Sequence, residues 1–132
     1  MSTIAAGDTL PEKVFTVTRA DLVAYAAASG DHNPIHQDED VARSVGLPGV
    51  IAHGMYTLAL VGRAVAEWTD GAEVLDLGAK FTSPVVVPAE GGAEVRVAGT
   101  VKSVADGLAT LALEVTCGGQ KVLGMPKAVV RA

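Results

Sequence analysis

Apolar and polar residues alternate along two late stretches, V-R-V-A-G-T-V from Val95 and L-A-T-L-A-L-E-V-T from Leu108. A period of two puts one face of each segment in a core and the other in water, which marks half-buried β-strands. The wider pattern predicts strands over residues 73–81, 93–104, 108–117 and 121–131, and an earlier β-rich one over 13–17. Asp106-Gly107 and Gly118-Gly119 fall between the later strands and suit tight hairpin turns. Residues 7–11 read as a polar lead-in, and Pro84, Pro88 and Glu90-Gly91-Gly92 as a loop between strands.

The period changes between the first strand and the rest. Leu22, Val23, Tyr25 and Ala26 stand at helical spacing within residues 19–29, and Gly30 ends the run. Thr18, three residues before Asp21, approximates a capping box with a short acid in the usual Glu place. Asp38 can cap a short second helix that Gly46 ends, and Leu47-Pro48-Gly49 is a turn. Residues 55–68 are apolar on nearly every face (Leu58, Ala59, Leu60, Val61, Ala64, Val65), and a helix with no polar side must be enclosed. Five strands with all three helical pieces between the first and second give an α+β fold.

Composition narrows the reading. A chain of 132 residues predicts one domain over residues 1–132, and no repeat or linker divides it. It is 49% hydrophobic but only 4% aromatic, so Val, Ala and Leu must make the core. A net charge of −5 argues against a nucleic-acid binder, which needs a basic face. The single cysteine, Cys117, cannot form an internal disulfide and fits a reducing cytoplasm. The N-terminus M-S-T-I-A-A-G-D-T-L lacks the pattern of a secretion signal, and no apolar run reaches membrane-spanning length.

The chemistry concentrates at residues 30–36, G-D-H-N-P-I-H. Pro34 biases Asn33 away from helical geometry, so this stretch is hardly helix or strand, and short-range geometry holds Asp31, Asn33 and His36. On these residues alone, an Asx-type turn with solvated polar groups is the alternative. A further histidine heads the apolar helix in I-A-H-G-M, residues 51–55. An Asp and a His five residues apart on one turn could share a water molecule between them. Gly54 opens the apolar helix, where a free N–H and the positive dipole end make an oxyanion donor; the alternative is a glycine kept for close packing.

G-D-H-N-P-I-H, the acid at Asp38, I-A-H-G-M ahead of an apolar helix, and F-T-S-P-V from Phe81 together resemble the MaoC-like hydratase/dehydratase family. Within it the chain looks most like the catalytic dehydratase subunit of mycolic-acid elongation. The resemblance implies a hotdog fold, a five-stranded antiparallel sheet curved around the central apolar helix, and hydration of trans-2-enoyl thioesters, or dehydration of (3R)-hydroxyacyl thioesters, on coenzyme A or acyl carrier protein. It implies that Asp31 and His36 are the acid/base pair and that the Gly54 N–H binds the enolate. Asn33, His53, Tyr56, Lys80 and Phe81 are the candidate substrate-binding residues, Asn33 as the group that fixes the turn.

Other residues carry less. Asp31, His32, His36 and Asp38 match no zinc spacing, so no metal or other cofactor is expected. His32 reads as a surface residue, Trp68 as core or tunnel wall, and Cys117 as structural. An anionic substrate calls for basic residues, for which Arg63, Lys80, Arg96, Lys102, Lys121 and Lys127 are candidates. A hotdog thioesterase would need an acid or nucleophile on the central helix, where only Glu67 stands near the far end. A non-catalytic acyl-binding subunit would more naturally lack Asp31 or His36. Open sheet edges and the need for an acyl tunnel predict a dimer, with a copy of itself or with a related hotdog subunit.

Overall fold

The computed structural model describes residues 4–132. The N-terminal M-S-T, part of the stretch read for a secretion signal, lies outside the described residues. The elements run β1 (Thr9–Val17), α1 (Arg19–Ser29), a 3-10 turn (Pro34–His36), α2 (Glu39–Ser44), α3 (Gly54–Thr69), β2 (Val74–Phe81), β3 (Ala93–Ala105), β4 (Leu108–Cys117), β5 (Gln120–Lys121) and β6 (Leu123–Arg131). The strands form one antiparallel sheet in the order β1-β3-β4-β6-β2, with β5 beside β4. No helix among the described residues is long and apolar enough to cross a membrane.

The alternation along β3 and β4 does what its period requires. Val95, Val97, Leu111 and Val115 are buried while Arg96 and Glu114 face out. Against these inward residues α3 lays Leu60, Val61, Ala64, Val65 and Trp68. The opposite side of α3 is less enclosed than its composition suggests: Met55, Ala59 and Ala66 are exposed. The helix's two charged residues, Arg63 and Glu67, pair on this exposed side, so the sheet covers α3 on one side only.

Three sequence expectations change. β1 begins at Thr9 rather than residue 13, because Pro11 falls in a bulge where the register slips between Leu10 and Lys13. An edge strand tolerates a missing N–H there, and the Pro11 carbonyl accepts the Trp68 Nε1–H at 2.7 Å. The strand expected over 121–131 breaks at Val122, whose N–H turns to the Val115 carbonyl, leaving β5 and β6. The loop after β2 is partly ordered as a ladder: the Ala52 N–H donates to Val85 O at 2.9 Å and the Val87 N–H to Val50 O at 2.8 Å.

Candidate active site

Local chemistry builds the turn that carries Asp31. The Thr18 capping box starts α1, and Gly30 ends it in the left-handed region at φ 80°, which a glycine adopts without strain. A relay of short bonds follows. The Asp31 N–H donates to Ser29 Oγ, the Asn33 N–H to Asp31 Oδ1, and the Ile35 N–H to Asn33 Oδ1, each at 3.2 Å. The stretch read as neither helix nor strand thereby closes into one 3-10 turn with Pro34 first, where its missing N–H costs nothing. Asp31 stays exposed, and His36 is turned inward and buried.

The I-A-H-G-M segment clasps this turn from the other side. The Ile51 N–H donates to Ile35 O at 3.3 Å, and His36 Nδ1 lies 2.8 Å from Ile51 O. His53 Nε2 lies 3.1 Å from the Asp31 main-chain oxygen. A carbonyl only accepts, so His36 carries its proton on Nδ1 and His53 on Nε2. The two imidazoles stack with centroids 3.8 Å apart and planes 25° apart. Tyr25 meets the His53 ring edge-on at 4.8 Å and touches Tyr56 at 5.3 Å. Burial pushes the His53 pKa down against its Asp31 hydrogen bond, and the neighbouring His36 lowers it further.

Asp31, His36, His53, Gly54 and Phe81 line one cavity of about 460 Å³, whose walls are otherwise mainly apolar, from Ile51, Val85 and Leu123. Thr57, buried on α3 one turn after Gly54, also lines it and was missed in the sequence. Its signal was there: a polar residue three positions beyond Gly54, in the uncharged first half of the helix. Asn33, Tyr56 and Lys80 do not line this cavity. Asn33 spends its side-chain oxygen on the turn, Tyr56 packs on Tyr25, and Lys80 is exposed on β2. His32 is exposed, as read.

Gly54 starts α3 with no side-chain cap over its first turn, and the Thr57 N–H is the first to fold back, onto His53 O. The leading N–H groups therefore point out of the helix beside Asp31 and His36. Asp31, His36 and His53 bring ligand-type atoms within 4.8 Å of one another. Imidazole–metal bonds of about 2.0–2.1 Å lie in the ring plane, and two near-parallel stacked rings do not aim at one point. Each ring holds a carbonyl with one nitrogen and leaves the other, His36 Nε2 and His53 Nδ1, without that bond.

Away from the cavity, Arg63 pairs with Glu67, Arg96 with Glu12 and Lys127 with Asp76, which takes three basic candidates into surface ion pairs. Burial and nearby Glu94 raise the Cys117 pKa, which keeps the thiol protonated.

Residues 3–116 match the family model described as the MaoC like domain. The chain belongs to the MaoC-like domain family. This MaoC-like domain is 41% identical over 83 residues to 3-hydroxyacyl-thioester dehydratase X of Mycobacterium tuberculosis, covering 62% of this chain and 29% of that protein. It superposes on a structure described as a MaoC-like dehydratase with a TM-score of 0.93 and 36% identity, over 97% of this chain and 40% of that one. The (R)-hydratase from A. caviae involved in PHA biosynthesis matches with a TM-score of 0.86 and 26% identity, over 99% and 98% of the two chains. In fold alone, at 22% identity and a TM-score of 0.83, it matches the ChsH1-ChsH2 complex from Mycobacterium tuberculosis over 100% of both chains. The MaoC-like domain thus has the hotdog fold of these structures.

Proposed function

We propose that this domain hydrates trans-2-enoyl thioesters and, in reverse, dehydrates (3R)-hydroxyacyl thioesters. The observation that carries the reading is one apolar cavity on which Asp31, His36 and the uncapped start of α3 all open. In hydration, water oxygen bonds to Cβ and gives its proton to a base. The C=C electrons move toward the thioester oxygen, and Cα takes a proton from an acid. Asp31 and His36 handle these two protons, and His36 Nε2 is the ring nitrogen left free to accept one. The Gly54 N–H, at the positive end of α3, stabilises the enolate oxygen. Phe81 and the aliphatic wall receive the acyl chain, with the thioester delivered on coenzyme A or acyl carrier protein.

The thioesterase alternative finds little support. Glu67 is exposed, paired with Lys13 at 3.7 Å and Arg63 at 3.4 Å, and does not line the cavity. A non-catalytic role leaves unexplained why the acid and imidazole share one cavity.

The working unit we propose is a dimer joined at the β2 edge. Val74, Leu75 and Phe81 on β2, and Met55 at the start of α3, are exposed large apolar side chains. The partner is a second copy or a related hotdog subunit, the latter in keeping with the two-subunit ChsH1-ChsH2 complex that the chain matches in fold. Purified protein given crotonyl and longer enoyl thioesters should bleach the conjugated absorbance. Thioester cleavage without hydration would overturn the reading.

A further inference from the structure

His53 is 2% exposed, yet it is a polar ring at the centre of the site. Its surroundings leave little of it for a substrate. One face stacks on His36, Tyr25 meets an edge, and Nε2 is held by Asp31 O. Nδ1 is buried and has no hydrogen-bond partner among the described residues. The proton on Nε2 suits that arrangement. The other neutral tautomer would bury an unpaired N–H and set a ring lone pair against a carbonyl oxygen.

We propose that His53 is a positioning residue, whose Nε2–H holds the Asp31 main chain while its ring face backs the His36 imidazole. The inference rests on the acid–base reading of Asp31 and His36 given above. The relay from Ser29 to Ile35 shapes the Asp31 turn only from within. Among the described residues, the His53 bond is the one hydrogen bond that ties Asp31 to a distant segment, 22 residues along the chain. His36 is seated by Ile51 O on its edge and by His53 on its face. Without His53, the acid and the imidazole keep their identities and lose their mutual placement. Burial favours neutral His53, which spares Nδ1 a second, unpaired buried N–H.

Two variants and one spectrum test it. His53→Phe keeps a flat ring against His36 and removes the donor; His53→Gln removes the ring and restores an N–H donor. Misplacement of reacting groups by about 1 Å costs on the order of 10²-fold in rate. We expect His53→Phe to lose kcat on that scale with KM and Tm little changed, and His53→Gln to recover part of it. In the unmodified protein, ¹H–¹⁵N correlation of the imidazole nitrogens should show His53 protonated on Nε2 alone. Wild-type kcat in His53→Phe, or a Gln variant no better than Phe, would overturn the inference. So would a His53 protonated on Nδ1, which decides the matter even if neither variant folds. Inactive Asp31→Asn beside fully active His53→Phe would sink this inference and leave the hydratase reading standing.

Discussion

Gly54 and Phe81 stand so close that a Cβ on Gly54 would lie 3.0 Å from the Phe81 ring. The glycine therefore both opens α3 and makes room for an aromatic wall of the cavity. Gly54→Ala keeps the backbone N–H but must push Phe81 aside. We expect kcat/KM to fall by up to about 10²-fold through displaced groups, with Tm unchanged. Adding Phe81→Leu to Gly54→Ala should restore activity; if it does not, the contact is not the cause.

Asp31→Asn and His36→Ala should each lower turnover by roughly 10²–10⁴-fold, the range for a lost general acid or base. Circular dichroism must show both variants folded. Near wild-type rates in either one would remove that residue from the chemistry.

His53 links stability to pH. In the unfolded chain it takes up a proton near its ordinary value of 6.5, whereas the folded chain holds that pKa lower. Between those points the unfolded state binds more protons, so stability is complete above 6.5 and falls as the pH drops toward the folded value. His53→Phe lacks this linkage. Melting curves from about pH 7 to about pH 5 should therefore fall more steeply for wild type than for the variant. Parallel curves would show that His53 protonates equally in both states.

Much of this architecture was legible because it is written in local chemistry. Thr18, Asp21 and Gly30 bound α1 by capping geometry alone, and Asp38 caps α2 with its own side chain. Asp106-Gly107 has the positive φ angles, 55° and 77°, that a tight hairpin demands. What stayed hidden depends on partners far along the chain. Nothing near Pro11 announces that its carbonyl will meet Trp68, or near Val85 that it will pair with Ala52. The two histidine motifs were visible one at a time, but their stacking required the 50–53 segment to be drawn against the turn. Lys80 was chosen for its charge, which carries no information about whether a β2 side chain reaches the cavity.

Activity should survive exhaustive chelation. The stacked planes of His36 and His53, 25° apart, do not converge on an ion. Loss of turnover with EDTA and its recovery with one divalent metal would contradict that geometry.

Light scattering at micromolar concentration should give a mass well above 13.4 kDa for the active species. The exposed apolar residues of β2 and the α3 start supply the reason. Full activity at the monomer mass would refute a site that needs a partner.

The clasp around the turn has an evolutionary side. Its three acceptors are the main-chain oxygens of Ile35, Ile51 and Asp31. A backbone oxygen survives nearly any change of side chain, so drift at positions 35 and 51 leaves those bonds available. The side-chain donors are a different matter, since only His36 and His53 supply them. Mutational tolerance and intolerance are thus interleaved residue by residue through the same short segment. Two imidazoles supply both side-chain donors of the clasp, and replacing either removes its bond.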